Sequence, residues 1–221
     1  MSILFVLLTF LLILTVSYLY RREGTVEVVA QPSTSATPRT PRIERQYGFE
    51  VPKGYCFHPG HTWVLDEGRQ MARVGIDNFA SNLLGKIERV EVIGLNRWVR
   101  QGQKLMSVTQ DGTSVDLLSP IEGVVTSVNP KVLREPASIA ADPYKDGWIC
   151  VVKAPDINTN LKNLMQGPMV GSWMQNSVAR LNAMAVAEGA TAQDGGVPIT
   201  GVLSHVSSDL RQRIVKEFFL S

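Results

Sequence analysis

The segment Cys56-Phe57-His58-Pro59-Gly60-His61 places a thiol and two imidazoles within six residues. That donor set could give three ligands to zinc or another transition metal. No CxxC or HxxxH pair elsewhere completes such a site, and Pro59-Gly60 is a turn-forming pair, so the segment reads as a structural turn and no metal ligand is assigned. Cys150 follows Trp148 and Ile149 in an apolar run, the setting of a small core residue. A nucleophilic thiol would need an adjacent base, and no pattern supplies one. His205 has no patterned partner and reads as a surface or capping histidine. No residue is assigned a catalytic role, and the chain is not read as an enzyme. A further signal is Asp111-Gly112, a tight-turn pair in which glycine takes the positive φ that closes a short hairpin.

The elements that must position these residues are mostly strands. From residue 47 to 156, short β-branched and apolar runs (62–64, 73–76, 90–93, 104–108, 115–118, 124–128 and 148–152) alternate with Gly, Pro, Asp or Asn about every ten residues, the spacing of small packed sheets. Residues 78–84 are the exception, where Phe79, Leu83 and the closing Gly85 predict a short helix with a glycine stop. Residues 129–146, with Pro130, Pro136 and Pro143, read as loop or broken turns. After residue 156 the pattern turns helical. Val170, Trp173, Met174, Val178, Leu181 and Ala185 recur at helical spacing, residues 188–201 read as a flexible link, and a last helix from Ser208 carries Leu210, Ile214, Val215, Phe218 and Phe219, with Ser208 or Asp209 as its N-cap. Both apolar stripes are expected to pack on the β domain; the sharper alternative is that Phe218-Phe219-Leu220 is a docking motif for a partner.

Several of these pieces stand in one order and at one spacing: His61-Thr62-Trp63, Val74-Gly75-Ile76-Asp77-Asn78-Phe79-Ala80, Leu84-Gly85-Lys86-Ile87, the run from Asp116 through Ser119-Pro120 to Val125, Asp142-Pro143-Tyr144 and Gly147-Trp148. Collinear over about a hundred residues, they resemble the H protein of the glycine cleavage system. The resemblance implies a β-rich (α+β) barrel-sandwich hybrid of the lipoyl type with C-terminal helices, and lipoate on a lysine at a hairpin tip, ferrying an aminomethyl group between enzymes. The family's lysine stands seven residues before the serine of Ser-Pro, which here is Gly112, and no lysine occurs between Lys104 and Lys131. Thr109 replaces the acidic residue that often precedes that lysine, and Thr62 the acidic residue of the His-acidic-Trp motif. The expectation is therefore a hairpin kept and an attachment lost, with no cofactor. The tip Gln110, Asp111, Gly112 and Thr113 is the candidate partner surface, because in related carriers it meets the partner enzyme. The competing expectation is a working carrier lipoylated at another amine, Lys104 or Lys131.

The 221 residues are 44% hydrophobic and 19% charged, enough for one or two globular domains. Twenty-two basic against 20 acidic side chains leave +2, all of it in residues 1–46, so nothing marks a nucleic-acid surface. The first twenty residues carry no charge and would span about 30 Å as a helix. With Arg21-Arg22 immediately after them, they read as a single-pass membrane anchor over 1–22 whose C-terminal side is cytoplasmic. Residues 23–46, rich in Pro, Ser, Thr and Arg, read as a flexible tether. The domain order is then anchor 1–22, tether 23–46, H-protein-like domain 47–156 and helical extension 157–221. The expected role is a membrane-tethered, non-catalytic scaffold, its partners being membrane lipid and a lipoate-dependent or glycine cleavage enzyme.

Overall fold

Alternation along the strands decides which side chains enter the core. In β9 (Thr113–Leu118), Val115 and Leu117 are buried while Ser114 and Asp116 face outward, the period of two that a strand with one covered face requires. It pairs with β8 (Lys104–Gln110), which pairs with β6 (Arg89–Val92), giving an antiparallel three-stranded sheet in the order β6-β8-β9. A six-stranded antiparallel sheet runs β3-β4-β5-β11-β10-β7, where β3 is Cys56–Phe57, β4 Thr62–Gly68, β5 Met71–Ile76, β7 Trp98–Val99, β10 Gly123–Val128 and β11 Cys150–Lys153. One apolar cluster joins the two sheets, including Val64, Val74 and Val152 from one and Leu105, Val108 and Leu117 from the other. Such burial is the main favourable term in folding. Inside it, Trp63 Nε1 donates to Ile76 O at 2.9 Å and Pro143 O at 3.2 Å. Gly75 lies flat beneath that indole, where any Cβ would overlap the ring.

The structure is a computed structural model that describes residues 9, 11–15, 42–187 and 200–219. Residues 9 and 11–15 are helical, with Leu11, Leu12, Ile13 and Leu14 exposed. The rest of the anchor read over 1–22 lies outside the described residues, and among those described no helix is long and apolar enough to cross a membrane. Residues 23–41 of the tether also lie outside. Its last residues are ordered structure: β1 (Ile43–Gln46) pairs with β2 (Phe49–Pro52), so the folded part starts inside the stretch read as tether. The local composition hid this because β1 is only four residues long and pairs with β2, whose Phe49 and Val51 are buried in the core.

The short helix forms where expected, α1 (Asn78–Leu84), with Asp77 Oδ1 accepting from Ala80 N at 2.7 Å and Gly85 ending it at φ 65°. The segment 129–146 is more regular than its prolines suggest. Asn129 caps α2 (Pro130–Arg134), which places Pro130 at a position where a missing N–H costs nothing, and α3 (Ser138–Ala141) follows. Beyond β11 come α4 (Ile157–Leu161), the nineteen-residue α5 (Met169–Ala187), α6 (Val202–His205) and α7 (Ser208–Phe219). The cap of α7 is one residue earlier than the expected pair: Leu210 N donates to Ser207 Oγ at 3.2 Å. Leu210, Ile214, Phe218 and Phe219 are buried in the same core as the sheets.

Candidate functional site

The β8–β9 hairpin closes in two residues. Gln110 pairs with Thr113, and Asp111 and Gly112 between them have φ of 46° and 70°, both in the left-handed region that a tight turn of this handedness needs. A Cβ built on Gly112 meets nothing within 4 Å, so the tip stands clear of the body. Its flanks do not. Gln110 is only 3% exposed, and its Nε2 donates to Ser204 Oγ on α6 and to Asp111 Oδ2 at 3.3 Å. Arg211 of α7 donates from Nε to Leu203 O at 2.7 Å and from a terminal nitrogen to Thr113 Oγ1 at 3.4 Å. Of the four tip residues, Asp111, Gly112 and Thr113 are exposed and Gln110 is buried, with Gln110 and Thr113 bonded to the C-terminal helices.

Those helices are seated on α1 as well. Gly201 N donates to Asn82 O at 2.7 Å and Thr200 Oγ1 to Asn82 Oδ1 at 3.1 Å. Gly85 and Gly201 meet so closely that a methyl on Gly85 would overlap Gly201 Cα. Residue 201, read from sequence as the end of a flexible link, is therefore a packed contact; residues 188–199 of that link lie outside the described residues. The signal available in the sequence was the glycine itself, which serves close backbone approach as well as flexibility.

The second feature is the turn that brings His61 into the core. His61, at φ 58°, is fully buried. Its Nδ1 lies 2.7 Å from Asp77 Oδ2, and its ring stacks on Phe79 at 4.3 Å and Trp173 at 4.6 Å between centroids, with Phe218 at 5.8 Å. Asp77 serves two elements at once, capping α1 through Oδ1 and holding His61 through Oδ2. Sequence reasoning paired neither residue with the other, since sixteen positions separate them. The neighbouring Thr62 Oγ1 donates to Leu118 O at 3.0 Å, a neutral tie between the sheets.

The three side chains considered as metal ligands are each engaged elsewhere. Cys56 Sγ is 3.7 Å from Gln166 Oε1, His58 Nδ1 accepts from Gly60 N at 3.0 Å, and His61 faces Asp77. Burial, with the neighbouring His61 adding to it, lowers the His58 pKa to about 4 and keeps the ring neutral. Burial also pushes the Cys150 thiol up to about 12, far from the thiolate a nucleophile requires. Among the described residues no group of three His, Cys, Asp or Glu is placed to hold a metal.

The lysines nearest the hairpin are far from its apex and paired. Lys104 begins β8, six residues from Gln110 or about 20 Å at the rise of a strand, and its Nζ is 2.8 Å from Asp116 Oδ1. Lys131 lies in α2, where its hydrogen bond to Asp146, at 2.6 Å, raises its pKa above the ordinary lysine value. A lipoyl group needs a primary amine at the tip. The residues there do not fit that group, because Gly112 offers no side chain at all.

A sheet-rich module with a projecting two-residue hairpin and attached helices is the class these features define. Comparison narrows it: the family model described as Glycine cleavage H-protein matches residues 55–177. The chain belongs to the glycine cleavage H-protein family. It is 34% identical over 108 residues to the glycine cleavage system H protein of Prochlorococcus marinus, covering 49% of this chain and 83% of that one. With the Legionella pneumophila protein of the same name it shares 35% over 126 residues, 57% and 96% of the two chains. A crystal structure of the Mycobacterium marinum H protein aligns at 28% identity and a TM-score of 0.45 over 48% of this chain and 88% of that one. The family match ends at residue 177, so α6 and α7, which hold Gln110 and Thr113, lie beyond it, while Trp173 beside His61 lies within it.

Proposed function

We propose that this chain is an H-protein-like module that works by protein contact, without lipoate and without catalysis of its own, on the cytoplasmic face of a membrane to which residues 1–22 anchor it. The observation that carries the reading is the tip itself: Asp111-Gly112 closes the hairpin with no amine. Support comes from the shoulders, where Ser204 and Arg211 hydrogen-bond Gln110 and Thr113 and tie the base of the tip to the C-terminal helices. The competing carrier reading is left with Lys104 and Lys131, each in an ion pair away from the apex. A lipoate-dependent or glycine cleavage enzyme is the partner class that the family suggests. The anchor rests on the uncharged run 1–20 followed by Arg21-Arg22.

Intact-mass measurement of the protein purified from its native membrane tests the reading. The mass expected is that of the unmodified chain. A mass raised by a lipoyl group overturns it, and fragment mapping then names the lysine. Extraction by alkaline carbonate tests the anchor separately: retention in the membrane pellet is expected, and full release removes the anchor from the proposal.

A further inference from the structure

Four tryptophans occur in the chain, and three are occupied. Trp63 packs edge-on against Tyr55, Trp148 lies under the guanidinium of Arg73 at 5.4 Å, and Trp173 stacks on His61. Trp98 is 50% exposed and has no ring or cation partner among the described residues. It forms one wall of a cleft of about 290 Å³ whose other lining includes Gln101, Glu122, Asp156, Asn160 and Asn163. The cleft opens at the base of the hairpin, the end of β8–β9 opposite the tip.

The floor of this cleft is fixed by amides that satisfy one another. Gln101 Nε2 donates to Pro120 O and to Asn160 O, both at 2.9 Å, and Gln101 Oε1 accepts from Asn163 Nδ2 at 2.8 Å. Asn160 accepts from Glu122 N and donates to Asp156 O, again at 2.9 Å. What remains for a ligand is chiefly the two carboxylates, Glu122 and Asp156, with the Thr159 hydroxyl beside them. The Glu122 and Asp156 carboxylates form no ion pair with any described residue. Asp156 precedes α4 in the N-cap position, yet its side chain makes no capping hydrogen bond, although that is the ordinary use of Asp there.

We propose that this cleft binds a guanidinium group, stacked on the Trp98 indole and donating to Glu122 and Asp156. A planar, weakly hydrated cation with a fork of N–H donors matches an open indole face beside two unpaired carboxylates better than a compact ammonium does. The chain itself uses arginine over an aromatic ring at Trp148 and at Phe218. The site is independent of the reading of the hairpin tip. Its source is a partner protein's arginine side chain or a free guanidino compound, and the chemistry recognised is the same.

The test titrates the full-length chain with N-acetyl-arginine amide, following the indole N–H resonance of Trp98, which is assigned by its absence in Trp98→Phe. A saturable shift is expected, with at least about tenfold weaker binding of the isosteric neutral citrulline amide. Glu122→Gln with Asp156→Asn weakens arginine binding about tenfold, while the thermal midpoint stays within about 2 °C because both side chains are unpaired. Trp98→Ala weakens binding, followed by calorimetry, by a similar factor, and Trp98→Phe retains most of it. Equal binding of citrulline, or the double variant binding as the parent does, overturns the proposal. Free arginine binding as tightly as the amide assigns the site to a small molecule; preference for the amide assigns it to a protein side chain.

Discussion

Two of the turns in this chain that adopt left-handed backbone have opposite surroundings. At the hairpin tip Asp111 and Gly112 face open space. At the turn after β3, His61 takes a similar φ with a carboxylate on one ring nitrogen and aromatic rings stacked against it. A ring as bulky as imidazole is held in that region by its surroundings. At the tip Gly112 takes that region freely and Asp111 is of a type that tolerates it, so the exposed apex needs no such support. The contrast teaches where the module is committed: the His61 turn is part of the core, and the apex of the hairpin is the part that can change chemistry without touching the fold.

The largest break is expected at His61. His61→Ala removes the partner of the buried Asp77 Oδ2 and empties the stack among Phe79, Trp173 and Phe218, at about 3–5 kcal/mol. A urea unfolding midpoint close to the parent's would show that the dyad is not holding the turn. Next is acid. The folded pKa of His58, about 4, lies below the ordinary histidine value of 6.5, so below that value the unfolded chain binds the proton more readily. Stability is then full above pH 6.5 and falls by about 1.4 kcal/mol per pH unit toward pH 4. His58→Asn keeps an acceptor for Gly60 N and removes this component, so the two proteins should differ in slope between pH 6.5 and 4; identical slopes would place His58 in solvent.

At the tip the effects shrink. Gly112→Ala is expected to cost about 1 kcal/mol, all of it from the positive φ, since its methyl meets no atom. Gly112→Lys carries the same cost and adds an amine. Incubated with an active lipoate ligase, it should gain the lipoyl mass; an unchanged mass would mean that recognition depends on positions beyond the turn, Thr109 first among them. Smallest is Arg180→Ala, which loses the exposed bridge to Glu217 and a contact over Phe218. A loss of about 0.5–1 kcal/mol is expected by thermal unfolding, and a larger one would show that α5 and α7 depend on this contact.

The hairpin and the short capped helix were legible because both are written in local chemistry. A turn pair such as Asp111-Gly112 acts over four residues, and Asp77 with Gly85 brackets α1 over nine. The absence of lysine from residues 105–130 needed only reading. The β1–β2 pair was missed because its strands are four residues each and β2 is fixed by distant partners, Phe49 on Phe79 and Glu50 between Asn78 and Tyr144, and the helices in 129–146 because proline suits a first helical turn as well as a loop. Ser204 and Arg211 gave no sign of their role, being ordinary polar residues about ninety positions from the hairpin they hold.

By itself the sequence determined the longer strands, the family and the loss of the tip amine, since periodicity, motif order and residue identity are one-dimensional properties. Only the tertiary structure decided that Asp77 answers His61, that Gly201 lies on Gly85, and that the C-terminal helices grip the shoulders of the hairpin. Each of those contacts joins residues distant along the chain, and which ones meet is set by how all the elements pack together around one core.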